Sequence, residues 1–466
     1  MDGGTIVAAI DAVAHEVTLF ACVGFLIGGI DDLAVDLIFA ARSLRKRRGG
    51  FPNLPSVADL PTTHQPHIAI FIAAWDEANV IGQMLRAALA RIDYSDYTIH
   101  VGTYPNDRAT IAAVAEVAAQ DLRVRLIIGD HPGPTTKADC LNAIWRAMLA
   151  DEAGGVAAPR IIVIHDAEDV IHREELRVHA ALMRDHDLVQ LPVIPLTDNK
   201  SRLVAGHYAD EFAEAHSKLM PVRQAIGAAI PLAGVGCGIR TEMLRLIATD
   251  RSDDPFDRTS LTEDYEMGLT VARLGGRATF AQVAEFPGGP PVAVRAYFPD
   301  RLNAAVRQKA RWMVGIALAG WDRIGWAQRH RLSDHWMRMR DRRALLSMIV
   351  LFAGYIGIIA GGAAMLVRHF TPAPAPAMST AMQWLLVATL VLLTWRLAVR
   401  AAFTWRLYGP REAMLSVPRA MVGNLIALLA ARRALWDYVA MLFGRAVVWD
   451  KTEHHFPDAE SEALQR

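Results

Sequence analysis

The sequence is short of cysteine, of early basic residues and of net charge, and each shortage removes a class of protein. Cys22, Cys140 and Cys237 are the only three cysteines in 466 residues and stand far apart, which leaves neither a disulfide framework nor a zinc-ligand spacing. No Lys or Arg occurs before Arg42. The N-terminal apolar segment therefore lacks the positive n-region of a cleavable signal peptide and is expected to act as an anchor. Lys plus Arg and Asp plus Glu balance at 49 each, so nothing global points to nucleic acid and no nucleic-acid partner is expected. The chain also carries no internal repeat and no low-complexity tract.

Apolar residues are what it has in quantity. They make up 53% of the chain, mean hydropathy is +0.20, and they gather into long uncharged runs, the pattern of membrane segments. Ala344 to Val367 carries no charge, Met378 to Trp395 forms a second run, and Val17 to Ile30 forms a shorter one flanked by acids. Three spans are expected. Arg42, Arg45, Lys46, Arg47 and Arg48 follow the first, Arg338 to Arg343 precede the second, and Arg396, Arg400 and Arg406 follow the third. By the positive-inside rule this orients residues from about 42 onward, and the soluble region with them, to the cytoplasm. Ala420 to Ala431 is too short an apolar run to span, so 410–443 is expected to be amphipathic helix at the cytoplasmic interface, with a fourth span as the competing reading. Asp32 and Asp36, one turn apart, fit either a bundle interior or partner, or the headgroup level.

Between the first two spans strands alternate with helices, with strands expected at 67–74, 98–104, 124–128, 161–165 and 188–194 and helices at 77–91, 109–119 and 137–149. This predicts an α/β domain with a mainly parallel sheet covered on both faces. The expected organisation is 1–50, an N-terminal membrane helix and its basic flank; 51–66, a Pro-containing linker; 67–330, a catalytic domain; 331–409, a membrane helix pair; and 410–466, interfacial helix and tail.

Five clusters could carry chemistry. Trp75-Asp76-Glu77 and Tyr104-Pro105-Asn106-Asp107 follow successive strands, where each is also an ordinary helix N-cap. Asp166-Ala167-Glu168-Asp169 ends the run Ile161-Ile162-Val163-Ile164-His165. Clustered carboxylates at a strand end suit a hard cation such as Mg²⁺ or Mn²⁺, which takes one or two carboxylates plus substrate phosphates; a strand meeting water is the plainer reading. Thr262-Glu263-Asp264 offers a general base in Asp264, or a capped helix start in which Thr262 is the cap. Gln308, Arg311 and Trp312 share one helix face, where a guanidinium fork and an indole suit an anionic leaving group or a sugar ring, unless that face simply meets lipid headgroups. In the tail, His454 and His455 are expected in a solvated loop, with a tail folded back to the active site as the competing reading.

In this order the five clusters resemble the membrane-embedded family 2 glycosyltransferases, the branch that includes cellulose and hyaluronan synthases, over residues 65–320. Further out, "YGPREAMLSVPRAMVGNLIALLAARRA" and "VVWDKTEHHFP" resemble the phage-adsorption protein B type. The resemblance implies a GT-A type, Rossmann-like domain with transmembrane helices, in a bacterial-type inner membrane with the catalytic domain cytoplasmic. Position by position it implies a nucleotide-sugar site of Asp76, Glu77, Asn106, Asp107, Lys137 and Asp166. It implies a Mg²⁺ or Mn²⁺ ion on Asp166 with Glu168 or Asp169, and catalysis by Asp264 beside Glu263. The leaving group and acceptor would meet Gly236 and Cys237 of "PLAGVGCGIR" and Gln308, Arg311 and Trp312.

The activity so implied is inverting transfer from a nucleotide diphosphate sugar, with a UDP-sugar as the expected donor, to a glycan or lipid-linked acceptor. Single addition to a lipid carrier competes with chain growth, and three spans are fewer than polysaccharide synthases of the resembled branch use to build a channel. Membrane lipid, an envelope export partner or a second copy of the chain are the other partners entertained. A non-catalytic membrane scaffold for an export or phage-receptor complex is the alternative of another class.

Overall fold

The computed structural model describes residues 3–47, 54–61, 65–251, 253–370, 374–444 and 455–457. Part of the linker, Arg48, and the stretch carrying Trp449 to His454 lie outside the described residues.

The chain opens with one 45-residue helix, α1 (Gly3–Arg47), longer than its fourteen-residue apolar run announced. The domain that follows begins with β1 (Ile68–Ala73), whose six residues are all buried, as expected of a strand covered on both faces. Its alternation splits the core: Ile68, Ile70 and Ile72 pack on one face, Ala69, Phe71 and Ala73 on the other. Next come α2 (Ile81–Arg91), β2 (Tyr97–Thr103), α3 (Arg108–Ala118), β3 (Val124–Ile128), α4 (Lys137–Ala153), β4 (Ile161–His165) and α5 (Glu175–Leu182). In α2 the buried Ile81, Met84, Leu85 and Ala88 form one stripe, while Asp107 and Thr136 cap α3 and α4 through Thr110 N and Asp139 N.

The expected strand at 188–194 is two. β5 (Leu188–Gln190) stays in the main sheet and β6 (Val193–Pro195) leaves it, because Pro192 between them has no N–H to continue a ladder. Helices α6 (Gly206–Glu214) and α7 (Met220–Ala225) follow, joined by a π-helical turn, and then β7 (Cys237–Arg240), α8 (Thr241–Asp250), α9 (Glu263–Arg273), β8 (Ala278–Phe280) and β9 (Val294–Ala296). The seven-stranded sheet has the order β3-β2-β1-β4-β7-β5-β8, and β6 pairs with β9. The order 3-2-1-4 is parallel as expected, but β7 inserts antiparallel between β4 and β5, so the sheet is mixed.

Helices α10 (Leu302–Met313), α11 (Ala319–Ile324) and α12 (Leu332–Arg342) lead to α13 (Ala344–Phe370), α14 (Thr380–Tyr408) and α15 (Pro410–Leu442). By length and composition α1, α13, α14 and α15 could each cross a membrane. α15 is a single 33-residue helix, where the sequence offered only a short apolar run between arginines. It starts at Gly409, with φ of 84°, and Pro410; a left-handed glycine followed by proline at the first helical position is a sharp stop and restart. α1 packs closely on α13, since a Cβ on Gly357 would stand 2.4 Å from Thr18 Oγ1, the small-residue contact of membrane helices.

The acids of α1 face protein. Asp31 and Asp32 pair with Arg340 and Arg343, and Asp36 takes Lys218 Nζ at 2.5 Å and Trp395 Nε1 at 2.8 Å. Carboxylates near hydrocarbon persist when partnered this way, and the network ties the long apolar helices to the α/β domain.

Candidate active site

β1, β2 and β4 are parallel, so the turns at their carboxyl ends converge on one edge, where open α/β sheets take ligands. A cavity of about 790 Å³ lies there. Beyond β4, Asp166, Glu168 and Asp169 all border it, but their commitments differ. Asp169 Oδ2 accepts from His165 Nδ1 at 2.9 Å and from Asp166 N at 3.0 Å. His165 Nε2 donates to Glu175 Oε1 at 2.8 Å. Burial opposes an imidazolium here, but Glu175 and Asp169 outweigh it and hold His165 up to about 10. A charged histidine fixed between two acids thus shapes the turn and engages Asp169, while the side chain of Asp166 is 35% exposed. No signal in the sequence separated Asp169 from Glu168; the triad with Glu175 exists only once α5 packs under β4.

Lys137, the first residue of α4, reaches across the cavity floor to bond Asp166 and donates to Gly234 O at 3.1 Å. Its burial disfavours the ammonium, yet Asp166, Glu263 and Asp264 together hold its pKa above the ordinary lysine range. Asp264 and Glu263 open α9 at the far wall. Burial raises both, and the adjacent Asp264 carboxylate adds to the shift that brings Glu263 to about 7. Gly234, with φ of 80°, makes the approach possible: a Cβ there would stand 2.8 Å from Asp264 Oδ2, and the left-handed backbone favours glycine. Thr262 occupies the N-cap position but its side chain makes no capping bond. It packs instead against Gly315, where a Cβ would stand 2.4 Å from Thr262 Oγ1.

Gln308, Arg311 and Trp312 of α10 border the cavity, with the Trp312 ring 6.1 Å from Tyr208 and 6.4 Å from Phe212. Lys309 faces the other way, onto Glu211 at 2.5 Å. Glu77 is buried and also lines the cavity.

Other expected site residues sit at or behind the rim. Asp76 is exposed with φ of 55°, a conformation rare for a residue with a side chain. It precedes no helix directly, because α2 starts only at Ile81. Asp107 Oδ2 accepts from Asp76 N at 2.6 Å while Oδ1 caps α3, and Asn106 exchanges two hydrogen bonds with the backbone of Gly133 at 2.8 and 2.7 Å. These residues brace neighbouring turns and do not border the cavity. Gly236 and Cys237 are likewise set behind it. Cys237 is fully buried in β7, and a Cβ on Gly236 would meet Val294 at 2.3 Å, so the loop presents Gly234 and Val235 instead.

Three further segments complete the walls: Thr197 to Lys200, Tyr297 to Asp300, and Tyr408, Arg411 and Glu412 at the α14–α15 corner. The tail contributes as well. His455, Phe456 and Pro457 line the cavity, with His455 itself exposed while Phe456 packs on the core of the domain, so His455 is solvent-facing and at the site rim at once; His454 lies outside the described residues. Among the described residues no three His, Cys, Asp or Glu side chains converge as a self-sufficient metal site, which is compatible with the sparse protein ligation of Mg²⁺ or Mn²⁺ on a phosphate-bearing substrate.

The glycosyltransferase-like family 2 model matches residues 65–315. The bacteriophage adsorption protein B of Escherichia coli K12 and the bacteriophage N4 adsorption protein B of E. coli O157:H7 are each 33% identical over 94% of this chain, which spans 61% of their length. A mannosyltransferase from Pyrobaculum calidifontis, solved in complex with GDP-Man and Mn²⁺, covers 92% of this chain and 99% of its own with a TM-score of 0.53 at 17% identity, a likeness of fold. The matched segment spans β1 through α10 and contains the five sequence clusters, and on that match the chain belongs to glycosyltransferase-like family 2.

Proposed function

We propose that the chain transfers a sugar from a nucleotide diphosphate donor, a UDP-sugar being the first to test, to a glycan or lipid-linked acceptor, with inversion at the anomeric carbon. The observation that carries the reading is that one cavity gathers Lys137, Asp166, Glu168, Asp264, Arg311 and Trp312 from four separate segments. Its volume of about 790 Å³ is in the range of ligand pockets and suits a donor with part of an acceptor. Asp264 accepts the proton of the attacking hydroxyl; a buried carboxylate with a raised pKa is the better base near neutral pH. Attack from the face opposite the diphosphate makes the C1–O bond to the acceptor as the bond to the leaving oxygen breaks, in a single displacement. Arg311 faces the departing diphosphate, Trp312 offers a flat surface to a sugar ring, and Lys137 holds Asp166 in place.

Asp166 and Glu168 are hard oxygen donors beside open space and fit a divalent cation. When bound, Mg²⁺ or Mn²⁺ would offset charge on the diphosphate. Glu77 and the rim formed by Asp76, Asn106 and Asp107 lie toward the nucleotide, and the side lined by Tyr408, Arg411 and Phe456 toward the acceptor. The E. coli relatives are named for bacteriophage adsorption, which favours a cell-surface acceptor or envelope partner. With α1, α13 and α14 crossing an inner membrane and the catalytic domain cytoplasmic, α15 is taken to lie along the membrane. Its support is contact with the domain from end to end: Arg419 with Asp210, Ile426 with Tyr208, and Tyr438 with Asp322.

The test is release of nucleoside diphosphate from a panel of nucleotide sugars by purified protein with Mg²⁺ or Mn²⁺. Asp264→Asn should lower turnover by about 10²- to 10⁴-fold with donor binding retained; full activity in that variant rejects Asp264 as base. Labelled donor separates one added sugar from a ladder of products.

A further inference from the structure

A second cavity, of about 500 Å³, lies behind α9, on the side of that helix away from Asp264. Its walls share no residue with the first. Five arginines line it, Arg251, Arg273, Arg323, Arg331 and Arg338, against the three acids Asp257, Glu266 and Asp334. The acids are occupied. Glu266 Oε1 accepts from Arg323 Nε at 2.9 Å and Ser260 Oγ at 2.7 Å, Asp257 Oδ1 accepts from Thr259 N at 2.9 Å, and Asp334 Oδ1 accepts from Ala229 N at 2.6 Å.

Two of the arginines have only neutral hydrogen-bond partners among the described residues, although Asp334 and Asp341 lie near Arg338 and Asp250 and Asp257 near Arg251. Arg251 reaches Pro255 O at 3.2 Å and Thr270 Oγ1 at 3.3 Å. Arg338 is 4% exposed; its NH1 donates to Gly325 O at 3.2 Å while its Nε has no hydrogen-bond partner. A buried guanidinium left with unmet donors is costly unless something anionic completes it. The wall that holds Arg338 is also juxtamembrane: α12 ends one residue before α13 begins. Trp321 and Trp326 beside it are 39% and 47% exposed, stack edge to face, and flank the Arg342 guanidinium at 4.8 and 5.2 Å. Tryptophan with arginine at such a position is the signature of the headgroup level.

We propose that this cavity binds a phosphate group, held by Arg338 and Arg251, presented either by an anionic phospholipid headgroup or by free phosphate. The guanidinium fork matches phosphate oxygens in pairs, and the room around it admits the glycerol of a lipid. The site lies one step from the catalytic turn, since Ser260, which lines the first cavity, bonds the same Glu266 carboxylate that Arg323 holds in the second.

The experiment reads binding alone, so its failure is distinct from failure of the glycosyltransferase reading. Full-length protein, stripped of lipid in detergent, is mixed with phosphatidylglycerol or phosphatidylcholine and weighed by native mass spectrometry; in parallel its melting temperature is followed in inorganic phosphate and in chloride at equal ionic strength. A lipid site retains phosphatidylglycerol over phosphatidylcholine, and Arg338→Gln and Arg251→Gln each weaken that retention by about tenfold or more, the loss of one charge-assisted hydrogen bond. A free-phosphate site shows instead a melting shift with phosphate that both variants lose, without preference between lipids. If neither ligand distinguishes the parent from the variants, the proposal is overturned. Should Arg338→Gln fail to fold, the half-buried Arg251 provides the variant that decides.

Discussion

Asp169 and Glu168 sit one position apart and are set different tasks by their neighbours. Asp169 faces a histidine held near 10 and buried beside it, so removing its carboxylate strips a partner from a buried charge, a change that costs about 3–5 kcal/mol. Asp169→Ala should therefore lower the melting temperature by several degrees, whereas Glu168→Ala should leave melting nearly unchanged and raise the metal concentration needed for half-maximal activity. Calorimetry with a metal titration separates the two, and the reverse pattern would assign the ion to Asp169. His100 makes a contrasting case on β2. Burial, reinforced by Arg125, holds it down to about 4, so it is neutral in the fold and takes a proton on unfolding. The stability it contributes is fully present above about 6.5 and is lost as pH falls toward 4, because the unfolded chain then binds the extra proton. His100→Gln should flatten the acid limb of a melting-temperature profile over that window.

At the scale of elements, α15 is held by one pair above all. Arg419 and Asp210 meet at 3.3 Å with each side chain 1% exposed, and Arg419 Nε also donates to Arg202 O at 2.6 Å. Burial raises Asp210 to about 6 although Arg419 opposes it. Arg419→Met should destabilise the docking of α15 on α6, leaving Asp210 protonated near neutral pH. The measurement is protease sensitivity of the α14–α15 corner, expected to rise, with Gly206→Ala giving the same result because its Cβ would stand 2.4 Å from Arg419 Nε. Unchanged protection in both variants would mean that the apolar contacts of α15 suffice. β5 and β6 show the same dependence on context: their residues read as one apolar strand, and only the missing N–H of Pro192 and the insertion of β7 part them.

At the scale of the whole molecule, the proposed placement of α15 along the membrane rests on its length of contact with the domain. Contacts from Arg419 to Tyr438 cover about 30 Å of helix at 1.5 Å per residue, a length that would otherwise cross the hydrocarbon. A helix cannot both cross and lie against a domain on one side. Met414→Cys and Phe443→Cys, at positions 78% and 88% exposed, should therefore react with a membrane-impermeant maleimide from the same, catalytic side of oriented vesicles. Labelling from opposite sides would make α15 a fourth span. The three native cysteines are buried and give a low background.

The sequence by itself determined the α/β order, the apolar helices and the strand-end clusters, because these follow from local periodicity and from polar residues placed where buried strands must end. Asp166 and Asp264 were singled out for that reason, Gln308, Arg311 and Trp312 by their shared helix face and Lys137 by the family resemblance, and all six border one cavity. Tertiary structure alone decided which members of each cluster face the cavity. Gly236 and Cys237 turn away because β7 runs antiparallel beside β4, Asp169 is engaged because α5 brings Glu175 under His165, and Phe456 docks because the core of the domain offers it a place. Each of these depends on contacts between residues distant in the chain, and their energies arise only when burial has removed water from both partners.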